Sequence, residues 1–212
     1  MNIGTIYEKY SIPQNLQRHM LSVAALASLI CNLLPDVNIN KDLVVKTSLL
    51  HDMGNVLKFN FSRTDLFDEA DRNKIASYKI AQAYLSEKYG ANPDEATLRI
   101  IQEITGNIRI KNLCQDSHWE NLGKYLNSDR WDIKICCYSD MRTGPFGLLS
   151  LPQRIADIKQ RRPEESAQLD ILLQQGLEVE EQLDLATHGR LSEIDEVQIN
   201  QAIAALREIE IN

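Results

Sequence analysis

Apolar residues recur at intervals of three and four along most of the chain, and stretches of strict apolar–polar alternation are few. This spacing predicts amphipathic helices almost throughout. The first starts near Pro13, a residue suited to an opening turn. It carries Leu16, His19, Met20, Val23, Leu26, Ala27 and Ile30 on one face, so His19 points inward. The second starts near Asn40, a good cap, and runs through Leu43, Val44, Thr47 and Leu50 to end at His51 and Asp52. Gly54 follows, and a left-handed glycine closing the helix is the expectation there.

The mixed stretch FNFSRTDLFDEADRNK, residues 59–74, has no clean period and reads as a loop or short helix arching over the end of the second helix, in reach of a substrate. Helical pattern resumes in IASYKIAQAYLSEKY, closed by Gly90, then from Pro93 through Leu98, Ile101 and Ile104, and again from Trp119 to Leu126. In DRWDIKICCYSDMRT, the residues Ile133, Cys136, Cys137 and Asp140 fall at helical spacing, which turns Asp140 inward with apolar neighbours. A carboxylate in that setting needs a partner, whether a metal, an arginine or a helix terminus.

After Pro152 the chain reads as QRIADIKQRR, breaks at Pro163, and continues in two more amphipathic helices with acidic outer faces. The last opens on a Ser192-x-x-Asp195 pattern that resembles a helix cap. These elements are expected to serve packing or self-association into a homo-oligomer. His188, in the turn between them, reads as a surface histidine. The expected fold is therefore all-α, with a helical domain over residues 1–162 and a C-terminal helical extension over 163–212 packed on it.

A chain of 212 residues suits one large domain with an added terminal piece. Its net charge of -7 argues against wrapping extended nucleic acid, an affinity that comes from Lys and Arg neutralising phosphates. A small phosphorylated ligand needs only a few local cations, and Arg18, Lys58, Arg142 and Arg154 lie close in sequence to the residues of interest. No apolar run approaches the roughly 20 residues of a membrane-spanning helix, and MNIGTIYEKYSIP lacks a basic region followed by an apolar core. The expected location is the cytoplasm, with no membrane partner. Cys31, Cys114, Cys136 and Cys137 show no CxxC spacing and read as reduced thiols, the adjacent pair filling helix interior beside Ile133 and Ile135.

The chemistry concentrates in one order of residues: His19, then the adjacent His51 and Asp52, then Asp140. Two imidazoles and two carboxylates make a first-row metal site. Neighbours on a helix point about 100° apart, so His51 and Asp52 reach one ion only from beside a helix terminus, which is where the pattern puts them.

This order and its flanks resemble the HD superfamily of metal-dependent phosphohydrolases, in which a first helix carries a histidine, a second ends in His-Asp and a later helix supplies an aspartate. Val23, Ala24, Leu26 and Ala27 after His19, and the DMR and SLPQRIADI stretches after Asp140, are similar to the family as well; the likeness covers roughly residues 13 to 160. It implies one divalent ion held by His19, His51, Asp52 and Asp140, with Arg18 and Arg142 as the cations holding phosphate oxygens. The implied activity is hydrolysis of a nucleotide or related phosphate ester by water that the ion activates, with Asp52 in the reacting machinery. Manganese, cobalt, iron, nickel and zinc all suit such ligands, and the family adds magnesium.

Departures from the family define an alternative. Many members with two metals continue His-Asp with Gly-Lys and add histidines on the next two helices. Here Asn55 stands at the lysine position, Tyr78 at one additional histidine position and ITGNIR at others; His118, the remaining histidine of that interval, either joins a second ion or simply flanks a helix start. The general acid is unassigned. The rival reading is an HD-fold module that senses a nucleotide or a protein partner without turning it over. A third reading, in which the His-Asp pair is accidental, predicts that His19, His51 and Asp140 lie more than about 8 Å apart, too far for ligands of one ion.

Overall fold

Asn2 accepts a hydrogen bond from the Thr5 amide at 2.9 Å and so starts a short helix, α1 (Ile3–Lys9), that the sequence pattern does not single out. It is held by its inner face, where Tyr7 is buried and donates its hydroxyl to the carbonyl of Leu49 at 2.6 Å. The computed structural model describes residues 1–67, 69–145 and 147–211, and the side chain of Leu66 is also outside the description.

Pro13 precedes α2 (Gln14–Asn32), whose buried stripe runs from Leu16 to Ile30, close to the expected face. The side chain of Asn40 accepts from the Leu43 amide at 3.0 Å and starts α3 (Lys41–Leu50). His51 ends that helix and the chain tightens into a 3₁₀ turn, Met53–Lys58. Gly54 is needed there for space rather than for a left-handed backbone, which corrects the expectation. A Cβ at this position would lie 2.1 Å from the Pro93 carbonyl oxygen, and the Gly54 amide donates to Thr97 Oγ1 at 2.8 Å.

There follow α4 (Glu69–Arg72), α5 (Ile75–Tyr89), α6 (Pro93–Thr105), α7 (Ile108–Asp116), α8 (Leu122–Tyr125) and α9 (Trp131–Arg142). A two-residue hairpin, β1 (Thr143–Gly144) with β2 (Gly147–Leu148), pairs Thr143 with Leu148 in antiparallel register. The chain finishes with α10 (Leu151–Arg161), α11 (Ser166–Ala186) and α12 (Glu196–Arg207). The fold is all-α in its architecture. The helix expected from Trp119 divides into a 3₁₀ turn, Trp119–Asn121, and α8, while α7 arises where the sequence showed only a departure from the family: Gly106 takes a left-handed φ of 57° and Asn107 caps the new helix. The cap of α12 is Asp195, in a reciprocal box with Gln198, rather than Ser192.

Helix α2 is central and packs on α3, α9 and α12. One apolar cluster joins Ile3 and Tyr7 to Leu50, Ile101, Ile135, Leu183, Ile199 and Ile211, so the last helices share the core of the first. A small separate cluster of Ile155, Ile158, Leu169 and Leu172 ties α10 to α11.

Residues 59–74 go elsewhere than expected. Phe61 stacks on Tyr78 of α5 and on Phe59 and Phe67, and the Asp71 carboxylate accepts both the Tyr78 hydroxyl at 2.6 Å and the Gln14 amide at 3.0 Å. The segment thereby braces the start of α2; Asp68 within it lies outside the described residues. The cysteines are free thiols, with Cys114, Cys136 and Cys137 buried, and His188 sits exposed in its turn at a φ of 57°.

Candidate metal centre

Three helix segments converge on one point. His19 projects from the middle of α2, His51 from the end of α3 and Asp140 from the last turn of α9. One ligand atom from each lies within 4.8 Å of the others. His19 Nε2 is 3.1 Å from Asp140 Oδ1, and His51 Nε2 is 3.6 Å from the same oxygen. Asp52 Oδ2 lies 3.7 Å from each Nε2. The reading in which the His-Asp pair is accidental fails on these distances.

Two of these groups are held by neighbours outside the cluster. His51 Nδ1 is 2.7 Å from the Ser48 carbonyl oxygen, one helical turn back, and an acceptor there fixes the proton on Nδ1. The other nitrogen, Nε2, is buried without a hydrogen-bond partner and faces the cluster. Asp140 Oδ2 accepts the indole N–H of Trp119 at 2.7 Å, leaving Oδ1 for the histidines. The electrostatics are those of a cation site. Burial works against a charge on His51, yet Asp52 and Asp140 raise its pKa to about 9. Burial also opposes charge on Asp140, but the imidazoles of His19 and His51 hold it well below the usual carboxylate range. Imidazole nitrogens and a carboxylate oxygen meeting at one buried point fit a divalent ion, which would take the place of the proton there, supported by the outer hydrogen bonds that orient metal ligands.

The cluster forms one end of a cavity of about 460 Å³. Asn55 and Lys58 of the 3₁₀ turn and Asp94 of α6 stand on one side; His118 and Trp119 stand on another. The remaining wall comes from α10 and α11, through Arg154, Ile158, Leu169 and Leu172. Helix α11 was expected to serve packing or self-association, and it also closes the site. No described residue of 59–74 lines the cavity.

Arg18 and Arg142 do not line it either. Arg18 is exposed on α2, a neighbour in sequence of His19 but turned to a different face. Arg142 is committed to structure: its guanidinium donates to the Leu149 carbonyl, to Glu180 Oε1 at 2.8 Å and to the Tyr138 hydroxyl. Sequence proximity misled in both cases because a helix sends neighbours in different directions. Of the four cations singled out in the sequence, Lys58 and Arg154 line the cavity, and Arg154, far from His51 in the chain, lies over the Trp119 ring at 5.9 Å.

A family model for the HD domain matches residues 16–142, more than half of the chain. The chain belongs to the HD domain family. Its members are generally metal-dependent hydrolases that bind divalent ions, and the matched span contains His19, His51, Asp52 and Asp140. Neither the curated proteins nor the solved structures contain a significant match to it. Among the described residues, no helix of this HD protein is long and apolar enough to cross a membrane.

Proposed function

We propose that this HD protein is a metal-dependent phosphohydrolase acting on a small phosphate ester, with a nucleotide as the substrate class. The observation that carries the reading is the buried, unpartnered Nε2 of His51, which faces His19 and Asp140 at the end of a cavity large enough for a small molecule.

His19, His51 and Asp140 would hold the ion, with Asp52 Oδ2 3.7 Å from both imidazoles. When bound, a divalent ion there supplies a Lewis acid that activates water and polarises a phosphoryl oxygen. The chain does the rest. Ser48 keeps the His51 tautomer with its free nitrogen inward, and Trp119 keeps Asp140 oriented. His118, half-buried in the cavity wall, donates the proton that the leaving ester oxygen takes up.

The sensor reading keeps one specific support. Asn55 replaces the family's lysine, and Tyr78, where an additional histidine is expected, is buried and bonded to Asp71. The experiment that separates the two measures metal content of protein purified without chelator, beside a His51→Ala, Asp52→Ala double variant. Manganese is then added and phosphate release followed across a nucleotide panel. Stoichiometric metal lost in the variant, with metal-dependent release, supports the hydrolase. Metal without release supports the sensor, and no metal even after reloading retires the metal site.

A further inference from the structure

Arg154 differs from every other cation along the cavity. Lys58, Arg161 and Arg162 keep about half of their side-chain surface in water, whereas Arg154 keeps 13 %. Its Nε is buried and has no hydrogen-bond partner. Its nearest carboxylate, Asp157, is 3.4 Å away and is held more tightly by Arg161 at 2.5 Å. A guanidinium withdrawn from water needs acceptors in its plane, and a phosphate presents two oxygens at the matching spacing. The stack on Trp119 presets the fork, and the same indole holds Asp140, so the arginine and the metal cluster are registered through one side chain.

The rest of the lining limits how much negative charge can enter. The cations are Lys58, Arg154, Arg161 and Arg162. Against these four stand five carboxylates: Asp52 and Asp140 at the cluster, and Asp94, Glu120 and Glu165 further out. The excess is one negative charge, which a divalent ion converts to one positive. A phosphate monoester, carrying close to two negative charges at neutral pH, already takes that site to about one negative charge. Each further phosphate adds charge next to Glu120 and Glu165, where Arg161 and Arg162 are already paired with Asp157 and Glu165. Ile158, Leu169 and Leu172 offer an apolar wall instead, suited to the body of the ester.

We infer that Arg154 is the residue that grips the phosphoryl group, and that the cavity selects a phosphate monoester over di- and triphosphates. This rests on the phosphohydrolase reading for turnover, but not for binding, and the test separates them. Manganese-loaded protein is titrated with inorganic phosphate by calorimetry, and phosphate release is measured on one nucleoside as its mono-, di- and triphosphate. Arg154→Met, which keeps a chain over Trp119, and Arg154→Lys are compared with Arg18→Met, with metal content and Tm recorded for each.

Arg154→Met should weaken inorganic phosphate by at least about tenfold with metal content retained, Arg154→Lys should weaken it less, and Arg18→Met should leave it unchanged. The monophosphate should have the highest kcat/KM. Equal phosphate affinity in Arg154→Met and the parent, at equal metal content, overturns the role of Arg154, and preference for the triphosphate overturns the selectivity. If no ester is hydrolysed, the hydrolase reading falls, while the phosphate titrations and the relative affinities of the three nucleotides still decide this inference. If Arg154→Met does not fold, Arg154→Lys decides it in the same titration.

Discussion

The indole N–H of Trp119 donates to Asp140 Oδ2 at 2.7 Å, and the face of the same ring lies under the Arg154 guanidinium. One side chain thus holds both a ligand of the candidate metal centre and the cation nearest in kind to a phosphate partner. Trp119→Phe preserves most of the ring and removes the donor. Outer-shell donors of this kind are worth about 10- to 100-fold in metal affinity. The variant should therefore bind manganese at least about tenfold more weakly in a calorimetric titration, with little change in Tm. Unchanged affinity would mean that Asp140 is oriented by α9 alone.

Gly54 joins the His51–Asp52 turn to α6 at a separation that no side chain tolerates, since its Cβ would meet backbone atoms of Pro93 and Thr97. Backbone cannot move aside as a flexible side chain can. Gly54→Ala should cost roughly 1–3 kcal/mol or more, seen as a Tm lower by several degrees, and should reduce metal binding because the turn carrying Asp52 must shift. A variant as stable as the parent would show that α6 can slide away from the turn.

Metal itself should stabilise the fold. His19, His51 and Asp140 come from three different helices, so an ion that binds them favours the folded chain over the unfolded one. At a hundredfold excess over Kd, the gain is about 2.7 kcal/mol. Thermal melts with EDTA and with added manganese should differ by several degrees in the parent and coincide in His51→Ala. Coincident curves in the parent would refute metal binding at this cluster.

Arg142 should prove structural. It links α9 to α11 through Glu180 and to the hairpin exit through the Leu149 carbonyl, all away from the cavity. Arg142→Met should lower stability by about 1–3 kcal/mol, the scale of a lost charged hydrogen bond, while KM for the ester stays the same. A raised KM with unchanged Tm would restore the role that its place in the sequence suggested.

How far the sequence could be read follows from what each residue depends on. His19, His51 and Asp140 were legible because helical periodicity fixes which side of a helix faces in, and a buried polar group at such a position needs a partner. Arg154 was one of four nearby cations, and nothing local separates it from Arg18 or Arg142. Its selection is tertiary, made by α10 folding back so that Ile158 and Arg154 face Trp119. Residues 59–74 were misplaced for a similar reason: the stacking of Phe61 on Tyr78, and the bond from Gln14 to Asp71, join segments that no local period announces. Gly54 was recognised as special for the wrong physical cause, because close approach and a left-handed backbone leave the same letter in the sequence.

His118 gives the sharpest chemical test, because a proton donor matters in proportion to how badly the leaving group needs a proton. An alkoxide leaving from a nucleoside ester is strongly basic, whereas nitrophenolate leaves without help. General acid catalysis contributes about 10²- to 10⁴-fold where it is needed. His118→Asn should therefore lower kcat on a nucleoside monophosphate by at least about a hundredfold and leave kcat on p-nitrophenyl phosphate nearly unchanged, with metal content equal to the parent. Equal losses on both esters would mean that His118 acts on binding or on the shape of the cavity, since neither of those depends on the basicity of the departing oxygen.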